Sequence, residues 1–220
     1  MLEKMDEFFD NRVNNYDDHQ LNCIDNYEDF LIFTAESLPK EPECKILDLG
    51  CGTGLELEHY FTINPTAFIT GIDVASKMLE KLKSKFRDKN IELINGSYFD
   101  TPFGEKIYDA AVSVESLHHF IAEQKISLYK KLHTALKDDG FFILTDYFAL
   151  SDEEEQKYKD DFLRLKYQQG IKNEDFFHYD IPLTVDHEIE CLKKAGFSNI
   201  DVLKNWGQTF IIKAWHCKNI

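Results

Sequence analysis

The stretch KILDLGCGTGLELEHYF, Lys45 to Phe61, sets three glycines within five residues directly behind a short apolar run. Glycine loses more conformational freedom on ordering than any other residue. Such a cluster therefore marks a place where backbone turns sharply or another molecule comes close. Lys45–Leu49 reads as a strand and Gly54–Phe61 as a helix, so the loop joins a strand to a helix at the strand's carboxyl end.

The remaining elements extend that pattern. Ile24, Tyr27, Leu31, Ala35 and Leu38 recur at helical spacing, and Pro39 and Pro42 stop the run. Strands are expected at Ala67–Asp73, Ile91–Asn95, Tyr108–Val114 and Phe141–Tyr147. Helices are expected at Ser76–Phe86 and at Ala122–Leu136, the latter ending in KDDG. Strands alternating with helices imply crossover connections and a mainly parallel sheet covered on both faces. After a helix at Val185–Ala195, the strand-like runs Ile200–Leu203 and Phe210–His216 are joined too closely for a crossover, so they should pair antiparallel. The sheet does not need Ser151–Thr184. Ser151 with Glu154 fits a capping box opening a charged helix to about Gln168. One domain spanning 1–220 is expected, with 151–184 as an insertion.

Composition narrows the partners. A chain of 220 residues with 43% hydrophobic content builds a substantial core, and a formal net charge of −15 disfavours a phosphate-binding surface or a polybasic anchor. No apolar run is long enough to span a bilayer, and the acidic N-terminus lacks the apolar core of a signal peptide. Cys23, Cys44, Cys51, Cys191 and Cys217 are scattered and odd in number, as reduced thiols in the cytoplasm would be. No metal site is expected, because adjacent His118 and His119 lack the spacing of paired ligands on a helix face.

In an open α/β sheet, ligands sit beyond the carboxyl ends of the strands. The Gly50–Gly54 loop lies there, with amides and a helix N-terminus suited to a polar ligand group. A dinucleotide loop, and with it an NAD-dependent oxidoreductase, is the nearest competitor. That loop requires a third glycine where Leu55 stands. Asp48 would also sit poorly beside a pyrophosphate, whereas it suits an ammonium group.

Asp48-Leu49-Gly50-Cys51-Gly52-Thr53-Gly54 resembles the D-x-G-x-G-x-G hallmark of class I S-adenosylmethionine-dependent methyltransferases of the small-molecule type. GIDVASKMLEKL, IELINGSYFD, YDAAVSVESLHHF and LHTALKDDGFFILTDYF resemble that family's later motifs, in order, from about Lys45 to Tyr147. The resemblance implies a Rossmann-like seven-stranded sheet in the order 3-2-1-4-5-7-6, strand 7 antiparallel, with helices on both faces. It places the cofactor's amino-acid end at Asp48, Gly50, Cys51, Gly52, Gly54 and the Val114 backbone. Asp73 would accept the ribose hydroxyls, Val74 would face the adenine, and Ser97 and Tyr98 would border its edge. Ser97 stands where the family usually has an acidic residue, and Ala75 where a serine often begins the next helix, leaving Ser76 to cap it. FFDNRVNNYDDH resembles the family's opening segment, so residues 1–40 become a helical lid, with Arg12 and Tyr16 as contacts for the cofactor carboxylate.

Methyl transfer is an in-line displacement on an already activated carbon, and it mainly requires alignment and exclusion of water. His118, His119 and Tyr147 lie past strands four and five, where proton handling for an acceptor belongs; Glu115 could orient an imidazole. His178, Tyr179 and Asp180 in the insertion read either as acceptor contacts or as an ordinary polar loop. The expected partner is a small-molecule acceptor, with no membrane; a homodimer is a candidate assembly. The acidic balance disfavours tRNA as acceptor. A non-catalytic protein binding S-adenosylmethionine or S-adenosylhomocysteine stands as the rival from another class. Phenylalanines near the insertion would suit an apolar or aromatic acceptor, or simply the core.

Overall fold

The computed structural model describes residues 1–172 and 175–216; Cys217 and positions 173–174 of the insertion lie outside the described residues. Two helices come first, α1 (Met5–Cys23) and α2 (Tyr27–Ser37). Then β1 (Lys45–Leu49), α3 (Leu55–Ile63), β2 (Phe68–Asp73), α4 (Ser76–Lys85), β3 (Asn90–Asn95) and β4 (Tyr108–Val114) alternate as expected. A single 3-10 turn, Leu117–His119, precedes α5 (Ala122–Ala135) and β5 (Leu136–Tyr147). The chain closes with α6 (Asp152–Gln168), α7 (Val185–Ala195), β6 (Asn199–Trp206) and β7 (Thr209–Trp215).

The strands form one sheet in the order β3-β2-β1-β4-β5-β7-β6. β1 to β5 run parallel, and β7 pairs antiparallel with both β5 and β6. Side chains alternate between the two faces with the period of two that a strand imposes. Ile46, Ile69, Ala110, Val112 and Ile143 pack with α2, α3 and α4, while Leu47, Leu49, Ala111, Phe142 and Leu144 pack with α5 and α7. Both faces are thus covered, which is why the central strands read as nearly continuous apolar runs.

Three local readings need correction. KDDG does not end the helix: α5 stops at Ala135 and β5 begins at Leu136, which is buried and pairs with Tyr108 ahead of a register shift. Gly140 permits that shift, because a Cβ there would stand 3.0 Å from backbone atoms of Lys137 and Tyr108. β6 runs longer than its apolar run, since backbone pairing with β7 continues through polar residues to Trp206 opposite Thr209. Ser76 does not cap α4. Asp10 of α1 does so from outside, accepting from Lys77 N at 2.8 Å and from the Ser76 hydroxyl at 3.2 Å. Ser151 caps α6 as expected, its Oγ accepting from Glu154 N at 3.2 Å.

Between α5 and α7 the apolar layer holds one ion pair. Lys125 Nζ meets Glu188 Oε2 at 2.5 Å, and the Tyr129 hydroxyl donates to the same carboxylate. Both charged side chains are almost wholly shielded from water, 2% and 0% exposed.

Candidate active site

The glycine loop closes over the ends of β1 and β2. Gly50 and Cys51 donate their amides to the Ile72 carbonyl at 2.8 and 3.3 Å. Gly50, Gly52 and Gly54 all have positive φ (+75°, +48° and +72°), the left-handed region that disfavours a side chain. Their surroundings differ. A Cβ on Gly50 would stand 2.1 Å from Ser116 Oγ, and one on Gly54 3.0 Å from the Phe86 ring. A Cβ on Gly52 would meet nothing nearer than 4.0 Å and would point into open cleft. Gly50→Ala should therefore lower stability by more than about 2 kcal/mol, from strain plus clash. Gly52→Ala should lower it by only about 1 kcal/mol while abolishing cofactor binding. Thermal denaturation with and without S-adenosylhomocysteine separates the two; equal stability losses would contradict the assignment.

Gly50, Gly52, Asp73, Val74, Ser97, Tyr98 and Val114 line one cleft, together with Tyr16, Phe9 and Phe176 from the segments that roof it. Asp73 Oδ2 accepts from Gly52 N at 2.9 Å and Oδ1 from Ala75 N at 2.8 Å. Burial pushes its carboxyl up to about 6, against the pull of those amides. The Ser97 hydroxyl is turned to Phe99 N at 3.1 Å.

Cys51, Asp48, Gly54 and Arg12 do not line this cleft. The Cys51 thiol is buried beneath the loop, against Gly71. Asp48 is buried beside Glu56, with Oδ2 unpartnered, and burial together with the Glu56 carboxylate pushes it well above the usual range. Gly54 faces α4. The Arg12 guanidinium donates to both carboxylate oxygens of Glu3 at 3.2 and 3.1 Å and to the Phe8 carbonyl.

A second cavity of about 520 Å³ adjoins the first. Phe9, Tyr16, Glu115 and His119 line both, so the two spaces meet at these side chains. Its other walls mix polar and apolar groups: Asn11, Arg12, Asn15 and Gln20 with Phe8 from α1, Ile24 just beyond it, and His118, His178 and Asp180. Phe162 and Phe177 of the insertion line a further groove that meets the cofactor cleft at Phe99, His119, Phe120 and Phe176.

The histidine cluster is held from three directions. His118 Nδ1 lies 2.5 Å from Asp146 Oδ1, and that carboxylate also accepts from Leu117 N and Tyr147 N. Burial opposes a charge on His118, but the Asp146 carboxylate prevails and raises its pKa to about 9. His119 Nδ1 lies 3.1 Å from the Tyr179 carbonyl; burial and the neighbouring His118 lower its pKa. Asp180 stands within 3.5 Å of His118 Nε2 and 3.3 Å of His119 Nδ1. The insertion is pinned there by Ile181 N donating to the His118 carbonyl at 2.8 Å. Glu115, at φ +48°, is pushed up to about 8, chiefly by burial.

Tyr147 lines neither cavity: its hydroxyl pairs with that of Tyr158 at 2.8 Å, and its ring centroid lies 6.1 Å from that of His118. The group that orients His118 is Asp146, which the sequence reading missed. Its signal was there, one carboxylate among the apolar residues of FFILTDY.

α1 roofs both spaces and is latched to α4. Asp17 meets Lys81 at 3.0 Å, Lys85 at 2.8 Å and the Thr53 hydroxyl at 2.6 Å, and Lys81 also donates to the Val13 carbonyl.

A parallel sheet whose first loop carries positive-φ glycines beside a carboxylate ending β2 defines an α/β protein that binds a nucleoside-bearing cofactor. Comparison makes that class specific. Residues 46–140 match the family model of a methyltransferase domain. Carboxy-S-adenosyl-L-methionine synthase of Nautilia profundicola is 27% identical over 96% of this chain and 95% of that protein. A tRNA (carboxymethyluridine(34)-5-O)-methyltransferase of Arabidopsis thaliana is 33% identical, over 52% of this chain and 26% of its own length. A solved candidate O-methyltransferase of Nostoc punctiforme PCC 73102 superposes with a TM-score of 0.71 at 22% identity, over 97% of this chain and 62% of the neighbour. The chain thus spans about three-fifths of that neighbour's length. The methyltransferase-domain match and these relatives support a class I S-adenosylmethionine-dependent methyltransferase.

The residues present fit that cofactor. Asp73 is a buried carboxylate with no cationic partner among the described residues and suits hydroxyl donors, and the space beyond Gly52 is open where a side chain would intrude.

Proposed function

We propose that this protein transfers the methyl group of S-adenosylmethionine to a small polar molecule seated in the second cavity. The observation carrying this reading is the junction itself. The cleft at the glycine loop and the cavity bearing the histidines share Phe9, Tyr16, Glu115 and His119, so a donor and an acceptor can meet there. S-adenosylmethionine supplies an electrophilic methyl carbon on a sulfonium sulfur. Asp73 holds the ribose hydroxyls, Val74, Ser97 and Tyr98 border the adenine, and Gly50, Gly52 and the Val114 backbone give the amino-acid end its room. Glu115, rather than buried Asp48, faces the positive end, and Tyr16 closes over it. His118 and His119 hold the acceptor's donor atom toward the methyl carbon. Tyr147 packs behind His118 as a positioning residue. Residues 1–40 act as the lid and 151–184 complete the acceptor wall within one domain. Four described cysteines are unpaired thiols, in keeping with a cytoplasmic setting. Among the described residues, no helix is long and apolar enough to cross a membrane.

Relatives named carboxy-S-adenosyl-L-methionine synthase raise a second product, a carboxylated cofactor. Among the described residues lining the two cavities, the one lysine or arginine is Arg12, and Glu3 already occupies its guanidinium. An added carboxylate would find no lysine or arginine among these residues free of a carboxylate partner, which favours methyl transfer. The test uses S-adenosylmethionine labelled in its methyl group, with a metabolite extract or total tRNA as acceptor and mass spectrometry of the cofactor. Label should enter the small-molecule fraction. Label in tRNA, or a carboxylated cofactor as the sole product, would overturn the reading.

A further inference from the structure

His118, His119 and Asp180 bring three potential metal-ligand atoms together. Asp180 Oδ1 lies 3.5 Å from His118 Nε2 and 3.3 Å from His119 Nδ1, and the three ligand atoms fall within 4.8 Å of one another. Good N–H···O bonds are shorter, about 2.9–3.0 Å. Ligands placed tetrahedrally around an ion at about 2.0–2.1 Å stand about 3.3–3.4 Å apart, close to the two spacings from Asp180, 3.3 and 3.5 Å. We propose that these three side chains form a binding site for a divalent transition-metal ion of the zinc class in the wall of the acceptor cavity.

The groups behind the ligands support this. Asp146 engages His118 Nδ1 at 2.5 Å, which commits that nitrogen and turns Nε2 toward Asp180. A carboxylate holding the far nitrogen of a ligating imidazole is the usual second shell of a metal site. The Tyr179 carbonyl lies 3.1 Å from His119 Nδ1, and an ion binding that nitrogen displaces the proton it otherwise shares with the carbonyl. Nitrogen donors with one carboxylate suit zinc or cobalt better than magnesium or calcium, which prefer all-oxygen shells. Helix-face spacing is irrelevant to this pair. The two histidines share one 3-10 turn, and the third ligand arrives from the insertion about sixty residues later.

His118, His119 and Asp180 all line the cavity, so an ion there keeps a side open to a bound molecule. Resting on the acceptor reading above, this narrows the acceptor to one presenting a hydroxyl oxygen, with a second oxygen beside it to chelate. Coordination would acidify that hydroxyl, as it does bound water. Its proton leaves to solvent, the oxygen bonds to the methyl carbon, and the carbon–sulfur bond breaks to give a methyl ether and S-adenosylhomocysteine.

The experiment uses the full chain, stripped with chelator and then titrated with Co²⁺. One equivalent should bind with the visible spectrum of a tetrahedral nitrogen–oxygen site. His119→Ala and Asp180→Asn should abolish that spectrum, and Asp146→Asn should weaken binding about 10- to 100-fold. Acetohydroxamate, a two-oxygen chelator, should shift the spectrum. Binding of S-adenosylhomocysteine by the stripped protein and by each variant shows that they are folded. Failure to bind one equivalent of Co²⁺ by protein that still binds S-adenosylhomocysteine would overturn the site. So would binding indifferent to His119→Ala and Asp180→Asn. A spectrum unmoved by acetohydroxamate would overturn the acceptor chemistry alone. Co²⁺ bound without S-adenosylhomocysteine would instead sink the methyltransferase reading and leave the metal site standing.

Discussion

Asp73→Ala should weaken binding of S-adenosylhomocysteine by at least about a hundredfold in calorimetric titration. Hydrogen bonds to a charged group contribute about 1.5–3 kcal/mol each, and two ribose hydroxyls are assigned to this carboxylate. The loss is compounded because Asp73 also holds the Gly52 and Ala75 amides, which fix the loop against the end of β2. Asp73→Asn keeps one acceptor oxygen and should fall between. The carboxyl sits at about 6 in the free protein, and hydroxyl donors favour its ionised form, so bound ligand should lower that value. Affinity should accordingly be level above pH 7 and decline as pH falls through 6. An Asp73→Ala protein that binds like the wild type would remove the ribose assignment.

The second large effect is on stability. Lys125→Met leaves the Glu188 carboxylate buried with the Tyr129 hydroxyl as its remaining neighbour, and breaking such a pair by removing one partner costs about 3–5 kcal/mol. For a chain of this length that lowers the melting temperature by about 10 °C. Lys125→Met combined with Glu188→Leu should recover most of the loss, since the apolar layer between α5 and α7 then closes without a charge. Affinity for S-adenosylhomocysteine should be unchanged throughout, because neither side chain lines the cofactor cleft. A double variant as unstable as the single one would show that the pair is needed for more than neutralising itself.

The sheet was legible because its signals are local and repeated. The glycine loop, the crossover order and the closely spaced C-terminal runs each left a mark within a few residues. Asp73 and the loop could be placed for the same reason: both end strands of a sheet already inferred. The acceptor side was harder to read. Asp146 and His118 are 28 residues apart, and Asp180 reaches His119 from a segment with no regular structure of its own. No periodicity brings such residues together; only the packing of β5, the 3-10 turn and the insertion does. Asp48 shows the opposite failure. Its motif position was clear, but burial beside Glu56 took the side chain away from the cleft. Arg12 failed likewise, because Glu3 nine residues earlier claims both of its terminal nitrogens.

The latch between α1 and α4 bears on how fast the protein works. Phe9 and Tyr16 of α1 line both cavities, so on the lid reading proposed above a spent cofactor leaves as that helix lifts. Lifting it breaks the Asp17 contacts with Lys81, Lys85 and Thr53 and uncaps α4 at Asp10. On that reading, residence time is set by a partly exposed ionic seam outside both cavities. Dissolved salt, by screening that seam, acts on product departure rather than on the bond-making step.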